Sequence, residues 1–311
     1  MRYTLVRTAT FSGVGLHSGA RITMRVAPAP AGAGIVFNRS DVPAGFGIVR
    51  ARYDQVADTQ LCTKLANAHG VSVGTVEHLM AALGGCGIHD ATITLDGPEV
   101  PVMDGSSRAF VARFAAIGVR PVGPAPQAVR ILAPVCVESE GRRASLTPAE
   151  GIEGLEIRFA IDFADAAVGR QDVRLAMVGD AFARELAECR TFGRLAEVES
   201  LRRLGLARGG SLDNAVVIDG GRVLNPGGLR RPDEFVRHKA LDALGDLTLA
   251  SAPIIGVYHG HKAGHEMTNR LLRALFDRPE AWTMVPQPAA GALRLPDWRS
   301  VAMADEERLA V

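Results

Sequence analysis

The amino-acid sequence predicts an α+β protein made of two similar domains, each with a sheet packed on helices. Each half of the chain carries strand signals and then helix signals, whereas a doubly wound α/β fold would alternate them. Residues 120–130, "RPVGPAPQAVR", are rich in proline and glycine and separate the halves. In addition, "EHLMAALGG" of the first half aligns with "HKALDALGD" of the second, which indicates a duplication.

The first domain is predicted over residues 1–122. Short β-type segments, "ARITMRVAP", "AGIVF" and "DATITLDG", surround a helix over "GTVEHLMAALGG", and a second helix follows over "GSSRAFVARFAAIG". Both helices end in glycine, as a left-handed C-terminal cap prefers. Between strand and helix, Asp104 and Gly105 are predicted to form a turn, with Ser106 or Ser107 as the helix N-cap.

The second domain is predicted over residues 127–285. Strand signals resume with "AVRILAPVCVES" and "LEIRFAIDF", and helices are expected around residues 179–189, 195–206, 233–248 and 265–277. Residues 193–222 have the pattern of an insert, with a helix, a glycine-rich turn and a hairpin. Residues 286–311 are predicted as a C-terminal tail, ending in "LPDWRSVAMADEERLAV", a short mobile end.

The composition narrows the classes of partner. The chain has 311 residues, with 35 Lys+Arg against 34 Asp+Glu, so its near-zero net charge argues against a nucleic-acid partner. The four cysteines lie far apart, which fits a reducing cytoplasm better than a disulfide framework. No segment reads as a signal peptide or a membrane span, although peripheral contact with a membrane is compatible with the sequence. We expect a monomer.

One predicted helix, "FVRHKALDALGDL", has an unusual polar side. His238, Asp242 and Asp246 follow one another at intervals of one turn, so the first two can close on one ion. A catalytic zinc takes three protein ligands and leaves a position for water, and His78 is the best third ligand in this chain. The competing interpretation is that each motif is an ordinary solvated helix surface.

The neighbours of these residues add acid and base groups. Glu77, beside His78, can accept a proton from a water molecule whose pKa a zinc ion has lowered. His265 is expected near the start of a helix, where the macrodipole disfavours a cation, and Asp246 is the carboxylate that could keep it protonated. A cationic His265 could stabilise an oxyanion and protonate a leaving amine.

Seven motifs resemble, in order and spacing, those of the zinc-dependent UDP-3-O-acyl-N-acetylglucosamine deacetylases of lipid A biosynthesis in Gram-negative bacteria. They are "GVGLHSG", "TVEHLMAALGGCGI", "PEVPVMDGSS", "RTFG", "GGSLDNAVV", "DEFVRHKALDALGDL" and "GHEMTNRLL". The resemblance runs from about residue 3 to residue 285. It implies a cytoplasmic hydrolase with two similar α+β domains and its active site between them.

The resemblance also implies roles for individual residues. It implies that His78, His238 and Asp242 bind the metal. It gives catalytic roles to Glu77 as general base, His265 as general acid or electrostatic stabiliser, Asp246 as the carboxylate that orients this histidine, and Thr191 as donor to the developing oxyanion.

Substrate contacts are implied as well. Lys239 is similar to the lysine that contacts the polar head of the substrate. The other expected contacts are Leu61, Cys62, Thr63, Phe192, Gly210, Ser211, Ala215 and Val217. The insert would form an apolar passage for the acyl chain from Phe192, Val198, Leu201, Ala207, Ser211, Ala215 and Val217, unless these residues are an ordinary small core.

Two other functions remain open at this point. One is a zinc amidase acting on another acylated sugar or peptide, which a wide polar cleft in the insert would favour. The other is a metal-braced protein that binds nucleotide sugars, which would have no need of Glu77 beside the metal. Fe²⁺ is the alternative to zinc for a site of two imidazoles and one carboxylate.

Overall fold

The computed structural model describes residues 1–297. Within residues 1–123 the chain forms ten strands and two α-helices. The strands are β1 (Arg2–Leu5), β2 (Ala9–Val14), β3 (Arg21–Pro28), β4 (Ile35–Arg39), β5 (Ile48–Arg50), β6 (Val56–Asp58), β7 (Lys64–Ala66), β8 (Ser72–Val73), β9 (Ala91–Leu95) and β10 (Val119–Gly123). The helices are α1 (Glu77–Gly85) and α2 (Arg108–Ile117), and a single 3-10 turn covers Tyr53–Gln55.

The second half, within residues 124–297, has ten strands and four α-helices. The strands are β11 (Gln127–Ile131), β12 (Val135–Ser139), β13 (Arg142–Thr147), β14 (Leu155–Asp162), β15 (Arg170–Met177), β16 (Phe192–Arg194), β17 (Val216–Asp219), β18 (Arg222–Val223), β19 (Ile254–His261) and β20 (Trp282–Pro286). The helices are α3 (Ala181–Glu185), α4 (Leu195–Arg203), α5 (Glu234–Thr248) and α6 (His265–Phe276), and a second 3-10 turn covers Pro279–Ala281. None of these helices, nor the two of the first half, is both long and apolar enough to cross a membrane.

The two main sheets share an arrangement of five strands, to which the second sheet adds β11, parallel to β19, and β20, antiparallel to β11. In the first, the hairpins β2–β3 and β4–β5 flank β9, which pairs antiparallel with β3 and parallel with β4. In the second, the hairpins β12–β13 and β14–β15 flank β19 in the same way. Each central strand is preceded by one helix, α1 or α5, and followed by another, α2 or α6. The predicted α+β class with two similar halves is confirmed. Between β9, the last strand of the first main sheet, and β11, the first strand of the second, the chain forms α2 and β10, and β10 pairs with β1.

Helix α5 lies in the middle of the core. It packs on α1 of the first half and on β14 and β15 of the second. Most of its residues are buried, including the polar series His238, Asp242 and Asp246. The amphipathic pattern that predicted the helix therefore has no solvated polar side, because the side that carries these residues faces α1 and α6.

Helix α1 meets α5 at unusually short range, and glycine allows this. A Cβ atom placed on Gly245 would lie 2.1 Å from the carbonyl oxygen of Glu77. One placed on Gly84, the residue that aligns with Gly245 in the other half, would lie 2.4 Å from Oγ1 of Thr248. The two helices therefore approach each other through equivalent glycines, and this brings their polar residues together.

Four predicted helices are longer than the observed ones by three residues or more. One of these, expected over residues 195–206, ends at Arg203. Helix α1 begins only at Glu77, because Gly74 bridges to Glu99 and Thr75 has a positive φ of 52°. The predicted helix over 105–118 begins at Arg108. The helix predicted around 179–189 is only Ala181–Glu185, because the following residues turn back on the carbonyl of Phe182. The left-handed glycine is found after α2, at Gly118, but beyond α1 it is Gly87 rather than the helical pair Gly84–Gly85.

The insert has the predicted helix, glycine-rich turn and hairpin, and one element more. Helix α4 is followed by a loop and by the hairpin β17–β18. Strand β16, which the sequence did not predict, pairs parallel with β17 and completes a three-stranded sheet.

Part of the predicted tail packs against the second half. Gln287 donates its N–H to the carbonyl of Pro126, and Arg294 donates its N–H to the carbonyl of Gly179. Leu293 and Leu295 pack against the hydrophobic core. Most of the stretch expected to be mobile, from residue 298 onward, lies outside the described residues.

Candidate active site

Helices α1 and α5 bring His78, His238 and Asp242 into one buried cluster. One donor atom of each residue lies within 4.8 Å of the other two. Oδ1 of Asp242 is 3.3 Å from Nε2 of His238 and 3.6 Å from Nε2 of His78. These separations match the edges of a zinc tetrahedron, which are about 3.3 Å for bonds of about 2.0–2.1 Å.

Two observations indicate that these donors suit a metal ion. Oδ1 of Asp242 is buried and makes no hydrogen bond, whereas Oδ2 accepts one from Nζ of Lys239 at 2.6 Å. A buried carboxylate oxygen without a donor is costly unless a cation meets it. Burial alone would raise the pKa of Asp242, but His238 and Lys239 hold that pKa well below its usual value, so the carboxylate is ionised.

His238 is oriented by the chain segment that precedes the insert. Its Nδ1 lies 3.0 Å from the carbonyl oxygen of Cys189. A carbonyl can only accept, so Nδ1 carries the hydrogen and Nε2 presents its lone pair to the cluster. Burial lowers the pKa of His238 to about 4, which keeps the imidazole neutral, as metal binding requires.

Glu77 lies beside this cluster at the first position of α1. It is 3% exposed, and burial raises its pKa above the ordinary value. Its Oε2 accepts the backbone N–H of Thr63 at 3.0 Å, while Oε1 is 3.8 Å from Nε2 of His265. One carboxylate oxygen is thus fixed and the other faces the imidazole of a second helix.

His265 is the first residue of α6, as the sequence predicts, and it faces three carboxylates. Its Nδ1 is 2.9 Å from Oδ2 of Asp246. Burial alone would lower the pKa of His265, but Asp246, Glu77 and Asp242 raise it to about 9. The imidazole is therefore cationic near neutral pH despite its place at a helix N-terminus, where the macrodipole acts in the opposite sense.

The other residues with a predicted role differ in burial and in their contacts. Lys239 is largely buried and ion-pairs with Asp242. Thr191 is half-buried two residues after Cys189, and its backbone bonds Gly105 and Val216 on either side. Leu61 is exposed, with a positive φ of 68°.

Cys62 and Thr63, in contrast to Leu61, are buried. Burial raises the pKa of the Cys62 thiol to about 12, so this side chain is neutral. Thr63 is 1% exposed and bonds Glu77 and Asp246 rather than facing an open cleft. The substrate contact at Thr63 stays a prediction.

The insert residues with a predicted role range from buried to exposed. Ala207 and Val217 are buried, Phe192, Gly210 and Ala215 are half-buried, and Ser211 is exposed. Helix α4 has no buried residue, although Val198 and Leu201 form a half-buried apolar stripe on it. The ring of Phe192 lies edge-on to His238, with centroids 6.3 Å apart, which connects the insert to the metal ligands.

Residues 104–107, which the sequence predicts only as a turn and a helix N-cap, make tertiary contacts in the structure. Ser107 holds the N-cap position of α2 but makes no side-chain cap hydrogen bond, and its hydroxyl instead donates to the carbonyl of His78 at 2.7 Å. Ser106 Oγ accepts the N–H of Arg108 at 3.2 Å. Asp104 forms an ion pair of 2.8 Å with Arg230 of the other half. The dense hydroxyl and carboxylate content of "MDGSS" was the only sequence signal for these contacts.

Comparison with known proteins supplies a family for this geometry. The family model described as UDP-3-O-acyl N-acetylglycosamine deacetylase matches residues 2–277. A UDP-3-O-acyl-N-acetylglucosamine deacetylase of Phenylobacterium zucineum (strain HLK1) is 51% identical over 281 residues, which are 90% of this chain and 95% of that protein. Proteins of the same name from Acidithiobacillus ferrooxidans (strain ATCC 53993 / BNL-5-31) and Myxococcus xanthus (strain DK1622) are each 47% identical, over 88% and 91% of this chain and 89% and 88% of theirs.

Proposed function

Because the chain belongs to the UDP-3-O-acyl-N-acetylglucosamine deacetylase family, we propose that it hydrolyses the N-acetyl group of a UDP-linked, 3-O-acylated N-acetylglucosamine. The products are acetate and the free amine, and the reaction is a step of lipid A biosynthesis. The observation that carries this proposal is the pairing of Glu77 Oε1 with His265 Nε2, 3.8 Å apart, beside three buried metal-binding side chains. Amide hydrolysis needs one group that takes a proton from water and another that gives a proton to the departing nitrogen.

The metal is proposed to be zinc, held by His78, His238 and Asp242, with Fe²⁺ as the alternative for the same donor set. When bound, it supplies Lewis acidity, which polarises an acyl oxygen and makes a water molecule more acidic. The neutral His238 and the ionised Asp242 are the protonation states that this binding requires.

The residues of the chain carry the proton transfers. Glu77 takes one proton from water as the water oxygen forms its bond to the acetyl carbon. The carbon–nitrogen bond then breaks, and His265 gives a proton from Nε2 to the departing nitrogen. Glu77 then passes its proton to His265. Both groups return to their starting state, and one water molecule is consumed.

Charge that develops on the acyl oxygen needs a donor as well as a metal. The cationic His265 is one source of stabilisation, since its pKa is raised to about 9 by the surrounding carboxylates against the effect of burial. Thr191 is proposed as a hydroxyl donor, and Lys239 as a contact to the polar head of the substrate. Thr191 lies on the segment whose Cys189 carbonyl orients His238, which supports a position close to the metal.

The acyl chain is proposed to lie along the insert. The half-buried stripe of Val198 and Leu201 on α4 is apolar surface without a complete protein cover, and Phe192 and Val217 lie on the adjoining strands. Covering such a stripe with an alkyl chain removes apolar area from water from both partners. These residues are apolar, whereas the alternative substrate would be favoured by a wide polar cleft.

The test is acetate release from a UDP-3-O-acyl-N-acetylglucosamine by purified protein. We expect activity to vanish after chelation and to return at about one equivalent of zinc. A parallel assay with Glu77→Gln should show no turnover above about a hundredth of wild type while binding the same amount of zinc. A zinc-replete protein that leaves this substrate intact, or a Glu77→Gln variant of full activity, would refute the proposal.

A further inference from the structure

Thr63 occupies an unusual place between the two halves of the site. It follows the loop that joins β6 to β7 and is 1% exposed. Its backbone N–H donates to Oε2 of Glu77 at 3.0 Å, and its hydroxyl donates to Oδ1 of Asp246 at 2.6 Å. One residue of the first half thus holds a carboxylate of α1 and a carboxylate of α5 at the same time.

These contacts close a ring of four residues. From Thr63 the ring runs through Asp246, whose Oδ2 meets Nδ1 of His265 at 2.9 Å. It returns through the 3.8 Å gap between Nε2 of His265 and Oε1 of Glu77. The gap is the only place in the ring without a hydrogen bond, and it lies beside the metal-binding cluster.

The hydrogen-bond roles in the ring are fixed by chemistry. An ionised carboxylate can only accept, so the Thr63 hydroxyl must donate to Asp246 and His265 must carry a hydrogen on Nδ1. Because Oδ1 and Oδ2 of Asp246 each have one donor, the carboxylate cannot rotate without breaking a bond. Likewise, the N–H of Thr63 holds Oε2 of Glu77, which leaves Oε1 as the oxygen that faces His265.

We propose that Thr63 is a positioning residue that sets the spacing between Glu77 Oε1 and His265 Nε2. The inference rests on the proposed function, since that spacing matters only if these groups act as base and acid. Thr63 acts on Glu77 through its backbone and on His265 through its hydroxyl and Asp246, so a side-chain substitution changes the second path and spares the first.

The decisive substitution is Thr63→Val, which keeps the side-chain shape and removes the hydroxyl. We expect kcat to fall about 10- to 100-fold, because a reacting group that loses its supporting hydrogen bond is no longer held in the productive geometry. KM and bound zinc should stay within about twofold of wild type. Thr63→Ser, which keeps the hydroxyl, should recover most of the lost kcat.

The control is Thr4→Val, in β1. Thr4 is fully buried, and its hydroxyl also donates a short hydrogen bond, at 2.6 Å to the backbone carbonyl of Asp90, but no hydrogen bond joins it to the four residues of the ring. This variant should lower thermal stability while leaving kcat unchanged. It therefore measures how the loss of a buried hydroxyl outside the ring changes thermal stability and kcat.

A double substitution separates positioning from a general loosening of the fold. If the hydroxyl works through Asp246 and His265, then Thr63→Val should change kcat by less than about twofold when it is added to His265→Ala. A reduction as large in the His265→Ala background as in wild type would overturn the proposal, as would full kcat in Thr63→Val or no recovery in Thr63→Ser. If Thr63→Val fails to fold, Thr63→Ala removes the same hydroxyl without placing a methyl group beside the carboxylate, and the same comparisons apply. Wild-type protein without activity on the UDP-linked substrate would instead refute the proposed function.

Discussion

Replacing Gly245 with alanine should damage the active site without touching any of its side chains. The new Cβ would lie 2.1 Å from the carbonyl oxygen of Glu77 and 3.1 Å from its Cα, and ordinary contact begins at 3.4 Å. The obstacle is backbone on both sides, so no side-chain rotation relieves it. To reach ordinary contact, α1 and α5 must separate locally by about 1.3 Å, the difference between 3.4 Å and 2.1 Å.

The separation acts directly on catalysis. Helix α1 carries Glu77 and His78, and α5 carries His238, Asp242 and Asp246. A displacement of about 1 Å between reacting groups costs about 100-fold in rate, and metal affinity should fall because the ligands no longer close on one ion. Overpacking of this kind also destabilises the fold by about 1–3 kcal/mol.

Helix propensity makes the opposite prediction for stability. Within a helix, Gly→Ala is favourable by about 1 kcal/mol because alanine loses less backbone entropy on folding. The sign of the change in unfolding free energy therefore shows which effect prevails at this crossing. We expect net destabilisation, since the clash involves backbone of a second buried helix.

The assay combines urea unfolding of the chelated protein, zinc titration and acetate release. The control is Gly97→Ala, whose Cβ would meet Cδ1 of Ile22 at 2.2 Å, the movable end of a side chain in the first half. That variant should keep its metal affinity and kcat. A Gly245→Ala protein that is more stable than wild type and fully active would refute the reasoning that glycine sets the spacing of the ligand-bearing helices.

Three further predictions follow from the site and the insert. Glu77→Gln keeps the shape of the side chain and should lower kcat about 100- to 10,000-fold with zinc still bound; loss of zinc measured by metal analysis would show that Glu77 holds the metal site together instead. In the chelated protein, the pKa of His265 is raised from its ordinary value of 6.5 to about 9, so its contribution to stability is complete below pH 6.5 and is lost as the pH rises through 9. Urea unfolding should show a smaller decline over this window in Asp246→Asn, and equal declines in the two proteins would contradict the assignment. Leu201→Asp places a charge on the half-buried stripe of α4 and should lower kcat/KM about tenfold or more for long-chain substrates only, whereas Leu204→Asp, at a residue that is 76% exposed, should leave kcat/KM unchanged for chains of every length.

The sequence was sufficient for the features that depend on local pattern or on spacing along one helix. The interval of one turn between His238 and Asp242 predicts that they face the same way, and they do. The two similar halves and the insert were visible in the order of strand and helix signals. The family resemblance extended these inferences to residues such as Thr191, whose local pattern carries little information.

Features that depend on tertiary packing were not visible in the sequence. Thr63 lies 183 positions from Asp246 along the chain, and no periodicity connects the two. The polar side of α5 resembles a solvated surface until α1 and α6 are packed against it. The short extent of α3 reflects the tertiary contacts of the residues that follow it, such as the ion pair between Glu188 and Arg231, which outweigh local helix propensity.

The crossing of α1 and α5 also determines how the protein loses activity. Sites built on surface loops can fail through local opening while the rest of the fold persists. Here Glu77, the proposed base, and the side chains proposed to bind the metal belong to two core helices, and the crossing cannot open without exposing apolar residues of both halves. Opening of the site and loss of the folded core are thus one cooperative event, which disfavours a partly unfolded state in which only the site has opened.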